Sequence, residues 1–350
     1  MTINNRNNNN NNNNNINSAI LRISKDINTI SFIGNVKGSG KTTAMRFFAK
    51  VFENMVLGIT SVGVDGQRDF DNKAGTHLNI REGSIVATAS ALLPFMDATR
   101  EILKVSDINT PLGEIVFVKA RSDGNVLVAG PSTVSDLKKT REDLINEGAQ
   151  LILIDGALNR KTIALTGEGV YTVFTFGVKN GKNVKNVEIQ GVLSSILDEI
   201  FWLMLPLVGI DEENNNSIIV DLNEESMTVA LNRELEKAET RLTSIHIKGA
   251  VTSGVIKEIS EFSRIYKDKL KEAKFIIEDG TKILAKRKEL LVFEEIMSKL
   301  LVENAINLLA ICVNTEGLEF EEEDTKKLCN EILKETGIPV LDVKGGYFSC

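Results

Sequence analysis

The chain has 350 residues, 42% of them apolar, which is enough core for one large α/β domain or two ordinary ones. Its formal net charge of −7, with a pI near 5.2 and no basic stripe, argues against a general nucleic-acid or lipid-surface binder. Cys312, Cys329 and Cys350 are far apart and odd in number, so they read as unpaired thiols in a reducing cytoplasm, and His77 and His246 lie too far from them for a zinc site.

In chain order, residues 1–17 carry an Asn tract (Asn4 to Asn15, broken by Arg6) with no apolar run, which predicts a disordered tail and no secretory signal. From Ser18 the pattern changes. "NTISFIG" is β-branched and aromatic, a strand, and it runs through a loop of Gly, Lys and Ser into a helix over Lys41 to Asn54 with Ala44, Phe47, Phe48 and Val51 on one face. "MVLGITSVGVDG" is a second strand ending at Asp65-Gly66, and the polar residues 67–83 read as a long surface loop. Ser84 to Leu93 is apolar up to Pro94, and a short helix is expected through Lys104.

"LGEIVFVKARSDGNVLVAG" has the pattern of a hairpin turning at Ser122 to Asn125. A helix follows to about Asn146, with Ser132, Thr133 and Ser135 as cap candidates and Gly148 closing it. "AQLILIDG" is then a fully apolar strand ending in an acid. Strand, helix and strand in succession make a crossover unit, which favours a mostly parallel sheet with helices on both faces. "GVYTVFTFGVKNGKNV", within 159–190, alternates like a strand but has no evident place. The most apolar stretch, Ile200 to Ile210, is too short to span a bilayer and contains Pro206, so it reads as a buried helix and no membrane is implied. "DEENNNS" at 211–217 is the best boundary candidate. It separates a nucleotide-binding domain over 18–210 from an α/β continuation or second subdomain over 218–350. The strands expected there are "KFIIEDGTKIL", "AINLLAICVNTEG" and "GIPVLDVKGG", with a helix from Glu321 to Glu335 stopped by Gly337.

The loop after the first strand carries the chemistry. A phosphate cradle needs glycines that let backbone N–H groups turn inward, a helix N-terminus, a Lys for the outer phosphates and a hydroxyl for Mg²⁺. Gly38, Ser39, Gly40, Lys41, Thr42 and Thr43 supply those parts in the required order of strand, loop and helix. There is one departure: the first glycine of G-x-x-x-x-G-K-[ST] would fall at Asn35, and Gly34 stands one residue upstream. Asn reaches left-handed φ more readily than most residues, so the turn can survive it. Asp155, ending the apolar "LILID", is the candidate to hold Mg²⁺ with Thr42, its alternative being a plain Asp-Gly turn. Asp65 is a second acid that could orient the attacking water, with a plain turn equally open. Asn314, after "LLAICV", could read a nucleotide base or simply end a strand. Lys37 lies four residues before Lys41, where the deviant loops of partitioning ATPases place their extra Lys five before. The fold class expected is thus α/β, P-loop NTPase-like, with a β-hairpin insertion; Lys41, Asp155 and Asp65 are the catalytic candidates.

Beyond the loop, "GSGKTT", "TSVGVDG", "TPLGEIV", "VLVAGPS", "LILIDGALNRK", "IIEDGTKI" and "GIPVLDVKGG" together resemble the P-loop subunit of the lysine 5,6-aminomutase reactivase, the KamB family. The resemblance covers most of 29–160 and again about 245–346. It implies an ATPase that uses ATP and Mg²⁺ to free damaged cobalamin from an aminomutase dependent on adenosylcobalamin and pyridoxal phosphate. It also implies a MutS-like ATPase subunit as partner and an aminomutase client, while the expectation of no direct nucleic acid rests on the charge balance above. By position it assigns Gly38, Ser39, Gly40, Lys41 and Thr42 to the nucleotide loop and Asp155 to the metal side. The residues by themselves leave other classes open: a small-molecule kinase or ATP-dependent ligase, a positioning ATPase, or a scaffold that binds nucleotide without turnover.

Overall fold

The computed structural model describes residues 26–36, 38–63, 77–156, 167–178, 188–208, 216–238, 240–285, 299–316, 318, 320–342 and 347–349. The Asn tract, Lys37, Asp65, most of the polar break at 211–217 and Cys350 lie outside them. Two compact units divide the chain: residues 1–193 with 307–350, and residues 194–306. The later strands, which pattern alone left unassigned, are therefore split between the two.

The first unit runs β1 (Thr29–Gly34), α1 (Lys41–Val51), β2 (Leu57–Ser61), β3 (His77–Ile80), β4 (Ile85–Ala89), a 3-10 turn at Ser90–Phe95, β5 (Arg100–Thr110), β6 (Gly113–Ala120), β7 (Gly124–Leu127), α2 (Val134–Asn146), β8 (Leu151–Asp155) and β9 (Val170–Gly177). Helix α3 (Ile189–Phe201) spans the division. The second unit holds β10 (Ser217–Asp221), α4 (Met227–Lys237), β11 (Ser244–Lys248), α5 (Ser253–Ile265), α6 (Lys267–Leu270), β12 (Lys274–Ile277) and β13 (Leu300–Val302). The chain then returns to the first unit as β14 (Leu308–Asn314), α7 (Glu322–Thr336), β15 (Val340–Asp342) and β16 (Tyr347–Ser349).

The first unit is built on a ten-stranded sheet in the order β16-β15-β14-β9-β1-β8-β2-β4-β6-β5. From β15 to β4 every neighbouring pair is parallel, and antiparallel strands close both edges. This is a mixed α/β architecture with a large, mostly parallel sheet. Parallel strands covered on both faces need continuous apolar runs, and β8 shows why "LILI" reads that way. Leu151 and Leu153 pack with Ala44, Met45 and Phe48 of α1, whereas Ile152 and Ile154 pack with Leu137 and Leu144 of α2. Phe32 of β1 meets Phe48 edge to face, with centroids 5.6 Å apart. Burying each such side chain contributes about 1.5–3 kcal/mol.

Helix limits follow local chemistry. Thr133 caps α2 by accepting the Asp136 N–H at 3.1 Å, and α7 opens on a reciprocal pair between Glu321 and Asp324 and stops at Gly337, φ 69°. Four expectations need correction. Residues 100–104 form β5 and not a helix: the helix-forming run Arg-Glu-Ile-Leu-Lys is overridden by pairing with β6. Residues 77–80, inside the expected surface loop, form β3. The hairpin insertion joins β5 to β6 across Pro111-Leu112, not β6 to β7 across Ser122–Asn125. There Asp97 accepts both the backbone N–H and the side-chain amide of Asn125, which leads β7 away from β6 to pair with β3. Finally, the helix expected over Ile200 to Ile210 ends at Phe201. One 3-10 turn, Trp202–Met204, follows, and Leu205 goes extended (ψ 140°), as a residue before Pro206 must.

The second unit is a four-stranded parallel sheet in chain order, β10-β11-β12-β13. Leu231 and Leu235 of α4 and Ile256 and Ile259 of α5 share one cluster with Ile245, Ile247, Phe275 and Ile277, so both helices cover the same face. His246 pairs through Nδ1 with Glu303 at 3.0 Å, and Cys312 and Cys329 are buried free thiols. No helix among the described residues is long and apolar enough to cross a membrane.

Candidate functional site

Strand order positions the site. From β1 the chain passes through α1 to β2 on one side, β8 inserts between β1 and β2, and β9 lies on the other side of β1. The sheet's order thus reverses at β1, and the crevice at the carboxyl ends of such strands is where open α/β sheets bind ligands. The segment that opens there is 35–40, between β1 and α1.

Gly34 and the described residues Asn35, Gly38, Ser39 and Gly40 each have an identifiable task. At Gly34 a Cβ would lie 2.2 Å from Ser39 Oγ and 2.6 Å from Thr175 Oγ1, so any side chain there would displace the two hydroxyls that meet across the loop. Asn35 closes a two-bond clasp with Gly177: its Nδ2 donates to the Gly177 carbonyl and its Oδ1 accepts the Gly177 N–H, both at 3.0 Å. The loop then turns through Gly38 and Gly40, whose φ values of 80° and 97° a residue with a Cβ adopts only under strain. Ser39 is 1% exposed, and its Oγ is 2.8 Å from Thr175 Oγ1. Thr175 gives its one hydroxyl proton to the Ile33 carbonyl at 3.0 Å, so Ser39 is the donor between the two.

Helix α1 begins without a side-chain cap at Gly40. The Asn35 and Ser39 amides are engaged by the Thr175 and Val36 carbonyls, both at 3.3 Å. Those of Gly40, Lys41, Thr42 and Thr43 have no partner among the described residues. Lys41 is 8% exposed, and its ammonium makes no hydrogen bond or ion pair with a described residue. A cation without a partner among the described residues, beside four N–H groups likewise without one and at the positive end of a helix dipole, is an arrangement whose electrostatics suit an anion.

The other candidates fall as follows. Asp155 ends β8 in register with Phe32 of β1 and Ser61 of β2, buried at the same end of the sheet as the loop. The Thr42 side chain is half-buried on the first turn of α1, and Thr43 is exposed. Asn314 ends β14 opposite Gly177; its Nδ2 donates to the Gly38 carbonyl at 3.0 Å and its Oδ1 accepts from Glu316 N–H at 3.1 Å. Its amide is thus engaged by the loop and the following turn. Asp65 and Lys37 are outside the described residues. Before Asp65, Gly63 is tied to residues 130–131, donating to the Pro131 carbonyl and accepting from Gly130.

The fold therefore brings Gly38 to Thr43, Asp155 and Asn314 to the carboxyl ends of β1, β8 and β14. Thr175 and Gly177, which shape the loop from β9, were not singled out in the sequence, because "GVYTVFTFG" alternates without naming a partner strand. A small polar residue and a glycine closing that run were the available signal. Among the described residues no three His, Cys, Asp or Glu side chains cluster to hold a metal. One hydroxyl and one carboxylate are the protein ligands that Mg²⁺ commonly takes when substrate phosphates complete its shell. A separate cleft of about 680 Å³ lies between α1 and β3 over Leu57, Ile59 and Leu153; it touches no described residue from 34 to 43. No protein-family model matches the chain, and no curated protein is significantly similar to it.

Proposed function

We propose that the loop from Gly34 to Thr43 binds the phosphates of a nucleoside triphosphate, ATP by the family resemblance, and that the chain is a P-loop ATPase. The observation that carries this reading is Lys41, 8% exposed and without a partner among the described residues, beside the N–H groups of Gly40 to Thr43, which likewise have none there. The strand order supports it as well, since the loop leaves the strand where the sheet reverses. In this reading the four amides and the Lys41 ammonium bind and orient the phosphate chain. Thr42 and Asp155 would hold Mg²⁺, which when bound neutralises charge developing on the phosphoryl oxygens. Buried at the strand end, Asp155 is screened from bulk water.

The client is proposed on the resemblance of the quoted phrases to the KamB family: ATP turnover here would drive release of damaged cobalamin from an aminomutase, with a MutS-like partner subunit. A ligand shifts a conformational equilibrium only by its differential affinity for the two states, so the proposal requires ATP and ADP to favour different arrangements of this loop and its neighbours.

A titration of the full chain with ATP and GTP, with and without Mg²⁺, tests the first claim. Lys41→Ala is expected to weaken MgATP binding by roughly ten- to a hundredfold, the loss of one charge-assisted contact, without lowering the melting temperature of the free protein. Unchanged affinity would remove the loop from the function. Mixing inactivated aminomutase, partner subunit and either wild type or Lys41→Ala tests the second claim; equal recovery of mutase activity would end it. Transfer of label from ATP to a small metabolite, in place of phosphate release, would turn the assignment toward a kinase.

A further inference from the structure

Asn35 stands where the phosphate-loop pattern has its first glycine, and the structure gives that substitution a purpose. The parallel ladder between β1 and β9 ends at Gly34 opposite Thr175, with one more bond from the Asn35 N–H to the Thr175 carbonyl. The next rung would take the Asn35 carbonyl as acceptor for the Gly177 N–H. In its place the Asn35 side-chain oxygen accepts that N–H, and the side-chain NH₂ donates to the Gly177 carbonyl. A primary amide has the donor and acceptor of a peptide group, so the side chain completes the ladder while the main chain turns out of the sheet. Two further bonds brace the turn from outside: Ser39 Oγ to Thr175 Oγ1, and Asn314 Nδ2 to the Gly38 carbonyl.

We propose that Asn35, Thr175 and Asn314 are positioning residues that hold the loop in its ligand-ready shape before any ligand arrives, with the Asn35–Gly177 clasp as the principal tie. The proposal rests on the phosphate-binding reading above. None of the three need touch a phosphate; they act through Gly177, Ser39 and Gly38. Four bonds from two neighbouring strands fix a loop whose described residues otherwise include two left-handed glycines and one short internal hydrogen-bonded turn, from Ser39 N–H to the Val36 carbonyl. Without them the binding-competent shape would be one of several, and apparent affinity falls in proportion to the competent fraction.

The test compares wild type, Asn35→Ala, Asn35→Gly and Asn314→Ala as full chains. Hydrogen exchange of the loop amides in the absence of ligand is measured first, then association and dissociation rates for MgATP. Both Asn35 variants should exchange the 34–43 amides faster at a nearly unchanged melting temperature. Both should bind MgATP about tenfold more weakly, with the loss in the association rate and the dissociation rate preserved. Asn314→Ala should show the same signature more weakly, and it carries the test if the Asn35 variants do not fold. Asn35→Gly matching wild type in loop exchange and association rate would overturn the proposal, since the motif glycine would then serve as well as the clasp. A loss confined to the dissociation rate would overturn it too, because that marks a missing ligand contact. If the wild type fails to bind MgATP, the nucleotide reading fails, and loop exchange alone decides whether the clasp orders the loop.

Discussion

Lys41 and Asp279 are both charged residues with little exposed surface, and they differ in what stands beside the charge. Lys41 is 8% exposed with no partner among the described residues, and on the proposed function its counter-charge is the phosphate chain of the nucleotide. Asp279, after β12, is 6% exposed and keeps its carboxylate satisfied locally, accepting from the Thr281 N–H at 2.8 Å and from the Thr281 hydroxyl. Burial nonetheless raises its pKa above the ordinary carboxylate value, since loss of hydration outweighs those bonds. The sign follows from linkage. Between the unfolded pKa and the raised folded pKa the native state binds more protons, so stability falls as pH rises through that window and stays lower above it. Asp279→Asn keeps the acceptor oxygen and removes the charge. It should melt higher than wild type at pH 7, with the difference closing as pH falls toward the ordinary carboxylate range. Thermal melts of both proteins at neutral and acidic pH check this, and a constant gap would refute the burial argument. Lys41 was legible in the sequence because its neighbours Gly40 and Thr42 are contiguous with it. Asp279 was not, because no local pattern records burial.

At the scale of elements, α2 began and α7 ended where contiguous residues dictated, and several strands did not follow theirs. Thr133 caps α2 and Gly337 stops α7, both among the residues that sequence had offered for those tasks. Thr133→Ala removes the Asp136 N–H acceptor and should destabilise the first unit by about 1 kcal/mol, measured by denaturant unfolding. A cost near zero would mean that water replaces the cap, since the bond is exposed. In contrast, Arg100 to Lys104 joined β5 against its own helix propensity, and the Asp123-Gly124 turn served a change of sheet and not a hairpin. In both places the deciding partner, β6 or Asp97, lies across a turn or across the sheet. Propensity is a weak prior beside a paired neighbour.

For the whole molecule, the candidate site belongs to one unit assembled from both ends of the described chain. Asn35 meets Gly177 across 142 positions, and Asn314 meets Gly38 across 276. Nucleotide that binds the folded site alone stabilises it by about 2.7 kcal/mol at a hundred times its Kd. On the proposed function, MgATP should therefore slow hydrogen exchange in the loop and in β1, β8, β9 and β14, and leave β10 to β13 nearly unchanged. Equal protection throughout both units would place binding elsewhere or couple the units more tightly than the proposal needs.

Taken alone, the amino-acid order determined those features whose causes are contiguous: the apolar strand, the glycine turn and the helix opening on Lys41 and Thr42, the acid ending β8, and the caps of α2 and α7. Period-two alternation also marked strands, including the unplaced run that became β9. What only the tertiary structure decided was adjacency. Alternation says which side chains share a face but carries no information about which strand lies alongside. The placement of β9 beside β1 and of β14 beside β9 therefore emerged only on folding. With it came the parts that shape the loop, Thr175, Gly177 and the amides of Asn35 and Asn314, each joined to its partner by hydrogen bonds spanning more of the chain than any local motif can encode.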